Sequence, residues 1–205
     1  MKNKSTPFSR VNRSLDEAES YYSRLSSFYD LLASSEKKFI KRGLDLLNPR
    51  QSDRILEIGS GTGYAQIYIN RKLDSGLCIG LDLSAGMCLT AHRNLSRSGL
   101  SHRINIIRSD SMPTPFQAGS FDAVFTSFTL ELFDTPQIPV VLREFSRVLK
   151  PGGKLVVVAL SKDQPLPWAG KLYENLHVRF PRILDCRPIP VRALVEKDDF
   201  EIIED

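Results

Sequence analysis

The sequence predicts an α/β protein: a Rossmann-like, doubly wound, mostly parallel sheet with helices on both faces. Three observations predict it. Short apolar runs alternate with helix-length segments from residue 54 to residue 160, the rhythm of βα units. The first run, Arg54-Ile-Leu-Glu-Ile-Gly-Ser-Gly-Thr-Gly-Tyr64, is cut off by glycines at every second position. The second, Gly76-Leu-Cys-Ile-Gly-Leu-Asp82, ends in an acid.

The elements follow in order. Residues 1–14 are polar and basic (Lys2, Lys4, Arg10, Arg13) and read as a flexible arm. From Leu15 to Leu47 apolar residues recur at helical spacing with a break near Ser34-Ser35, giving two helices, and Asn48-Pro49 stops the second. Residues 15–48 thus form a helical cap ahead of the first strand. The glycine run leads into a helix from Tyr64 to about Lys72. Leu83 to Ser98 follows the second strand as a helix, Arg103 to Arg108 reads as a third strand, and Phe121 to Thr126 as a fourth. The apolar segment Ser127–Asp134 precedes a helix from Gln137 to Leu149, a Lys150-Pro-Gly-Gly turn and a fifth strand from Lys154 to Leu160. Residues 161–192 break the rhythm with five prolines around a helix near Trp168 to Phe180 and read as a lid-like insert. A short helix at Val191 to Lys197 and a sixth strand at Phe200 to Asp205 complete the series.

Composition narrows the function. At 205 residues the chain suits a single domain spanning 15–205. Cys78, Cys88 and Cys186 are odd in number and lack C-x-x-C spacing, so neither a disulfide framework nor a zinc site is indicated, and no metal is expected. The longest apolar run, Leu155 to Leu160, is far short of the ~20 residues of a membrane span, and residues 1–14 lack a signal-peptide core. A cytoplasmic protein is expected. The net charge of +4 is dispersed among acids, which disfavours nucleic acid as a partner. Oligomeric state is not legible.

The chemistry gathers at the glycine loop. Without Cβ atoms, Gly59, Gly61 and Gly63 let a ligand lie against the main chain, and the following helix start presents free N–H groups to a carboxylate or phosphate. A dinucleotide fingerprint would place its third glycine at residue 64, where tyrosine stands. Glu57 lies two residues before the first glycine. Asp82, about 20 residues on, is placed to accept hydrogen bonds from ribose hydroxyls or, with Ser84, to cap the next helix. Tyr22 and Tyr29, on an aromatic-rich stretch of the helical cap, are candidates for closing over the ligand.

The E-x-G-x-G-x-G of Glu57–Gly63 and the Arg147-Val-Leu-Lys-Pro-Gly-Gly-Lys-Leu155 turn resemble the class I S-adenosylmethionine (SAM)-dependent methyltransferases. Tyr22…Phe28-Tyr29-Asp30 and Thr129-Leu-Glu-Leu-Phe133 look most like the ubiquinone/menaquinone C-methyltransferases and the phospholipid N-methyltransferases. The resemblance implies SAM as cofactor, held by Glu57, Gly59, Ser60, Gly61, Thr62, Gly63, Asp82, Leu83, Met87, Asp110, Ser111 and Thr126 with Tyr22 and Tyr29, Asp110 meeting the adenine amino group. It implies methyl transfer by in-line displacement to a small-molecule or lipid-like acceptor, with peripheral membrane contact through the basic, aromatic insert. Glu131, His177 and Tyr22 are the candidates for catalytic contact, Glu131 serving alternatively as a helix-start charge. The family also ends in a seventh, antiparallel strand, which no segment here supplies. The rivals are a SAM-binding protein without turnover and an NAD(P)-dependent oxidoreductase.

Overall fold

A computed structural model describes residues 14–26, 36–109, 112–161, 187–196 and 200–204. Two helices precede the sheet: α1 (Leu15–Leu25) and α2 (Lys37–Leu47). Then follow β1 (Arg54–Ile58), α3 (Tyr64–Lys72), β2 (Leu77–Asp82), α4 (Ala85–Arg97), β3 (Ile106–Arg108), β4 (Phe121–Ser127), α5 (Ile138–Val148), β5 (Leu149–Val158) and the short α6 (Val191–Val195). All strands pair in parallel in the order β3-β2-β1-β4-β5. The chain winds outward from β1 through β2 to β3, returns to β4 on the other side, and so creates a switch point between β1 and β4. In open α/β sheets the crevice at that point, outside the strand carboxyl ends, is where ligands bind.

Side-chain alternation along the strands feeds two cores. Ile55, Cys78, Ala123, Phe125 and Val156 pack with Leu44 and Leu47 of α2 and Ala65 and Ile69 of α3. Leu56, Ile58, Leu81 and Val124 point the other way, toward Ile138, Val141, Leu142 and Phe145 of α5. Ala91 and Leu95 of α4 close a smaller cluster with Ile67 and Ile106. The ends are set locally. Ser14 and Glu17 form a reciprocal capping box on α1. Asn48 ends α2 in the left-handed region at φ 44°, its N–H returning to Leu44 O, with Pro49 behind it. Ser84 caps α4 through Met87 N–H.

The structure corrects the sequence reading in four places. Residues 200–204 form no strand, although Phe200 packs against the α5 core, because no ladder partner reaches them among the described residues. The third strand begins at Ile106 rather than Arg103, since Ser101–Arg103 make a 3-10 turn whose Arg103 N–H bonds Leu100 O. The Lys150-Pro-Gly-Gly turn lies within β5, as a bulge between Leu149, opposite Phe121, and Lys154, opposite Ala123. Arg187, expected among the basic residues of a lid, is 1% exposed. The helix expected near 168–180 and the third cysteine lie outside the described residues, among which no helix is long and apolar enough to cross a membrane.

Gly43 marks where α2 lies closest to the sheet. A Cβ built there would stand 2.3 Å from Val158 Cγ2 and 3.3 Å from the Phe125 ring. Leucine is the better helix former by nearly ~1 kcal/mol, but overpacking against a stiff valine costs about 1–3 kcal/mol or more. Gly43→Leu is therefore expected to lower the urea midpoint by the equivalent of about 2 kcal/mol, read by denaturant titration with an unchanged slope.

Candidate active site

The site is built where β1 and β2 end. After Ile58 the chain turns through Gly59, Gly61 and Gly63, all at positive φ (73°, 51° and 82°), which L side chains rarely adopt. The Gly59 and Ser60 N–H groups both donate to Leu81 O at 2.9 Å, and the Gly61 N–H donates to Asp82 Oδ2 at 2.7 Å. The loop is thus pinned to the end of the neighbouring strand. The other Asp82 oxygen accepts from Ser84 N–H at 2.9 Å. Each glycine has its own reason. A Cβ on Gly59 would strike Thr129, and one on Gly63 would strike Leu95 and Ala91. One on Gly61 would meet nothing within 4 Å, because that position faces open space.

That space is a cleft lined by Glu57 of β1, Gly59–Thr62 of the loop, Tyr64 and Ala65 from the start of α3, Ser127 at the end of β4 with Phe128 after it, Glu36 at the N-cap of α2 and Ile40 within that helix. Glu57 is 2% exposed, and its Oε2 has no hydrogen-bond partner. Burial strips its solvation and the Asp82 carboxylate repels it, so its pKa stands well above the usual carboxylate value. The Asp82 pKa is also raised, burial outweighing the Ser84 and Gly61 amides that favour its charge. No lysine, arginine or histidine lines the cleft among the described residues. The arrangement is tuned to receive positive charge.

The cap helix α1 docks beside this site. Ser23 Oγ lies 2.9 Å from Ser84 Oγ and accepts from Gly86 N–H at 3.2 Å, and a Cβ on Gly86 would stand 2.7 Å from Ser23 Cα. The small residue lets α1 sit directly on the first turn of α4. Tyr22 lies edge-on to Tyr21 at 5.3 Å, outside the cleft lining. Leu83 and Met87 flank the capping Ser84, Met87 being buried. Thr126 is buried with its hydroxyl donating to Ile58 O at 3.1 Å, so it braces β4 against β1. Tyr29, Asp110, Ser111 and His177 lie outside the described residues. Sequence reasoning did not find Glu36, Ile40 or the Tyr64 side chain. Glu36 stands at the restart of the helical pattern after Ser34-Ser35, a signal that locates a helix end but not the cleft it faces.

Beyond Ser127 the backbone is strained. Phe128 is held at φ 50° while its N–H donates to Val158 O at 2.7 Å. Bulky residues avoid this region, and such strain clusters at ligand sites. Glu131 follows, fully buried, one oxygen accepting from Leu160 N–H at 3.2 Å and Oε2 without a partner. Burial, with a smaller push from Glu36, raises its pKa to about 7 against the opposing Leu160 amide and Arg187. Arg187 holds the turn, donating to the carbonyls of Glu131 (3.2 Å) and Phe133 (2.7 Å) and to Thr135 Oγ1 (2.9 Å).

A strand, glycine loop and helix at the switch point of a parallel sheet, with acids ending the first two strands, define a nucleoside-binding α/β protein. The comparisons make this specific. Residues 55–153 match a family described as a methyltransferase domain. The demethylmenaquinone methyltransferase of Bacteroides fragilis is 26% identical over 166 residues, 78% of this chain and 67% of the relative. The malonyl-[acyl-carrier protein] O-methyltransferase of Marinomonas sp. is 33% identical over 155 residues, 76% of this chain and 55% of the relative. The chain thus spans between about half and two thirds of these relatives. The solved complex of DhpI with SAH superposes with a TM-score of 0.60 at 24% identity, covering 73% of this chain and 70% of that one, and shares the fold. Residues 55–153 are thus a methyltransferase domain of the class I SAM-dependent kind, whose cofactor is SAM. The site fits that cofactor: a buried carboxyl oxygen without a partner and an open cradle above Gly61 meet its cationic and main-chain-hugging parts.

The buried Glu131 carries a pH signature. Unfolded, its carboxyl titrates near the ordinary 4.5, folded near about 7. Below the first value both states hold the proton; between the two only the native state does, so stability falls as pH rises through that window. At 1.36 kcal/mol per unit the decline is on the order of 3 kcal/mol. Glu131→Gln is expected to flatten it, which urea titrations across that window would measure.

Proposed function

We propose that this chain transfers a methyl group from SAM to a small-molecule or lipid-like acceptor of the quinone-precursor kind. The observation that supports this reading is the acid-rich cleft beneath the Gly59–Gly63 loop, without a lining cation among the described residues and opening beside the strained Ser127-Phe128 edge. In this reading Glu57 meets the ammonium of the cofactor, the main-chain N–H groups at the start of α3 its carboxylate, and Asp82 the ribose diol. Asp82 is suited to this because each of its oxygens uses one lone pair on Gly61 or Ser84 and keeps another for ligand. Leu83 and Met87 border the nucleoside, with Asp110 and Ser111 following β3.

Bound there, the cofactor supplies a methyl already activated by a positive sulfur. What the chain's residues contribute is alignment and exclusion of water, which together are worth roughly 7–11 kcal/mol in well-oriented reactions. Phe128 and Ser127 face the space where an acceptor would approach, and Ile40 gives it an apolar wall. Glu131 lies behind that edge with a pKa of about 7, the range suited to taking a proton from a phenol-like acceptor. Residues 15–205 act in this reading as one domain, with 161–192 covering the acceptor, and Tyr22, Tyr29 and His177 stand as further contacts. The B. fragilis relative's name supports a quinone-type acceptor; the Marinomonas name, an O-methyltransferase, supports oxygen as the alternative atom.

Two measurements test this. SAM at a hundredfold excess over its Kd should stabilise the wild type by about 2.7 kcal/mol, and Gly61→Val, which fills the cradle, should abolish that gain. Incubation with methyl-labelled SAM and fractionated extracts should then label the lipid or quinone fraction. Uptake by RNA alone, or by no fraction, contradicts the reading.

A further inference from the structure

We propose that Glu57 enters the cofactor complex as the neutral acid and surrenders its proton when a primary ammonium occupies the cleft, so that binding releases one proton to solvent. The inference rests on the reading of the cleft as a SAM site and adds how the amino-acid end is recognised. Its basis is geometric. Glu57 is buried, lines the cleft, and carries an oxygen that no described residue satisfies. A buried carboxyl without a donor is costly as an anion and is retained where a ligand completes it.

The surroundings favour the neutral form before binding. From β2, Asp82 and Cys78 face Glu57; from the head of α2, Glu36 lines the same cleft; from α3 comes Tyr64, with Lys37 Nζ 5.6 Å from its ring centroid. On β4 the facing residues, Phe125 and Thr126, carry no charge. With no lining cation among the described residues, the neighbouring Glu57 and Asp82 carboxyls cannot both ionise cheaply. An arriving R-NH3+ reverses the balance: the O–H bond of Glu57 breaks, the proton leaves to water, and a carboxylate–ammonium pair remains.

The ammonium that would pair with Glu57 is shared by SAM and by its demethylated product SAH but is missing from methylthioadenosine, which would keep the ribose over Asp82. Calorimetric titrations at about pH 6, where α-amino groups are fully protonated, run in two buffers of different ionisation heat, count the protons. The expected result is proton release on binding of SAM and SAH and none on binding of methylthioadenosine. Affinity for SAM should tighten with rising pH by up to about tenfold per unit, and Glu57→Gln, isosteric with the neutral acid, should remove both effects while melting as the wild type does. SAM binding without proton release, or equal release with methylthioadenosine, overturns the proposal while leaving the SAM site standing. Failure of SAM to bind at all removes both.

Discussion

The structure depends on the tie between the glycine loop and the end of β2. Three main-chain N–H groups, of Gly59, Ser60 and Gly61, are consumed by Leu81 O and Asp82 Oδ2. These bonds fix a loop that has little side-chain mass of its own, and they fix Asp82 with it. Because Asp82 also bonds Ser84, the same carboxylate sets the start of α4, on which α1 rests through Ser23. One carboxylate therefore connects the loop, two strands and the helical cap. A change at Asp82 would disturb the cradle and its cover together.

The second half of the site is organised by a different buried cluster. Arg187 reaches across from the segment before α6 to the carbonyls of the turn after β4, and that turn carries Glu131 and the strained Phe128. The β4 edge is thereby shaped by a residue more than fifty positions away in sequence. Its guanidinium is buried because it replaces water for carbonyls that close off no helix of their own.

Much of this was legible in the sequence. The strands from 54 to 158 were found because both faces of a parallel sheet are covered, which leaves continuous apolar runs. Gly59, Gly61 and Gly63 announced the loop, and Asp82 and Glu57 the acids, since the backbone geometry and the charge both demand particular residue types. Asp82 accepts from Ser84 at the head of α4 and from Gly61 of the loop, so its part in the helix start does not exclude the ribose role proposed for it. What stayed hidden was set by tertiary contact. Arg187 resembles any surface arginine until its carbonyl partners are seen. Phe200–Glu204 has strand composition but no ladder neighbour among the described residues. Glu36 and Tyr64 belong to helix ends whose orientation no periodicity reveals.

The account's central claim is that the cleft under Gly61 holds a sulfonium nucleoside with its ammonium on Glu57 and its ribose on Asp82. The most direct measurement is a crystal structure of the protein soaked with SAM. Density lying along Gly59–Thr62, with the amino group within hydrogen-bond distance of Glu57 and the ribose hydroxyls on Asp82, is the predicted result. An empty cleft, or SAM bound elsewhere on the molecule, would contradict it.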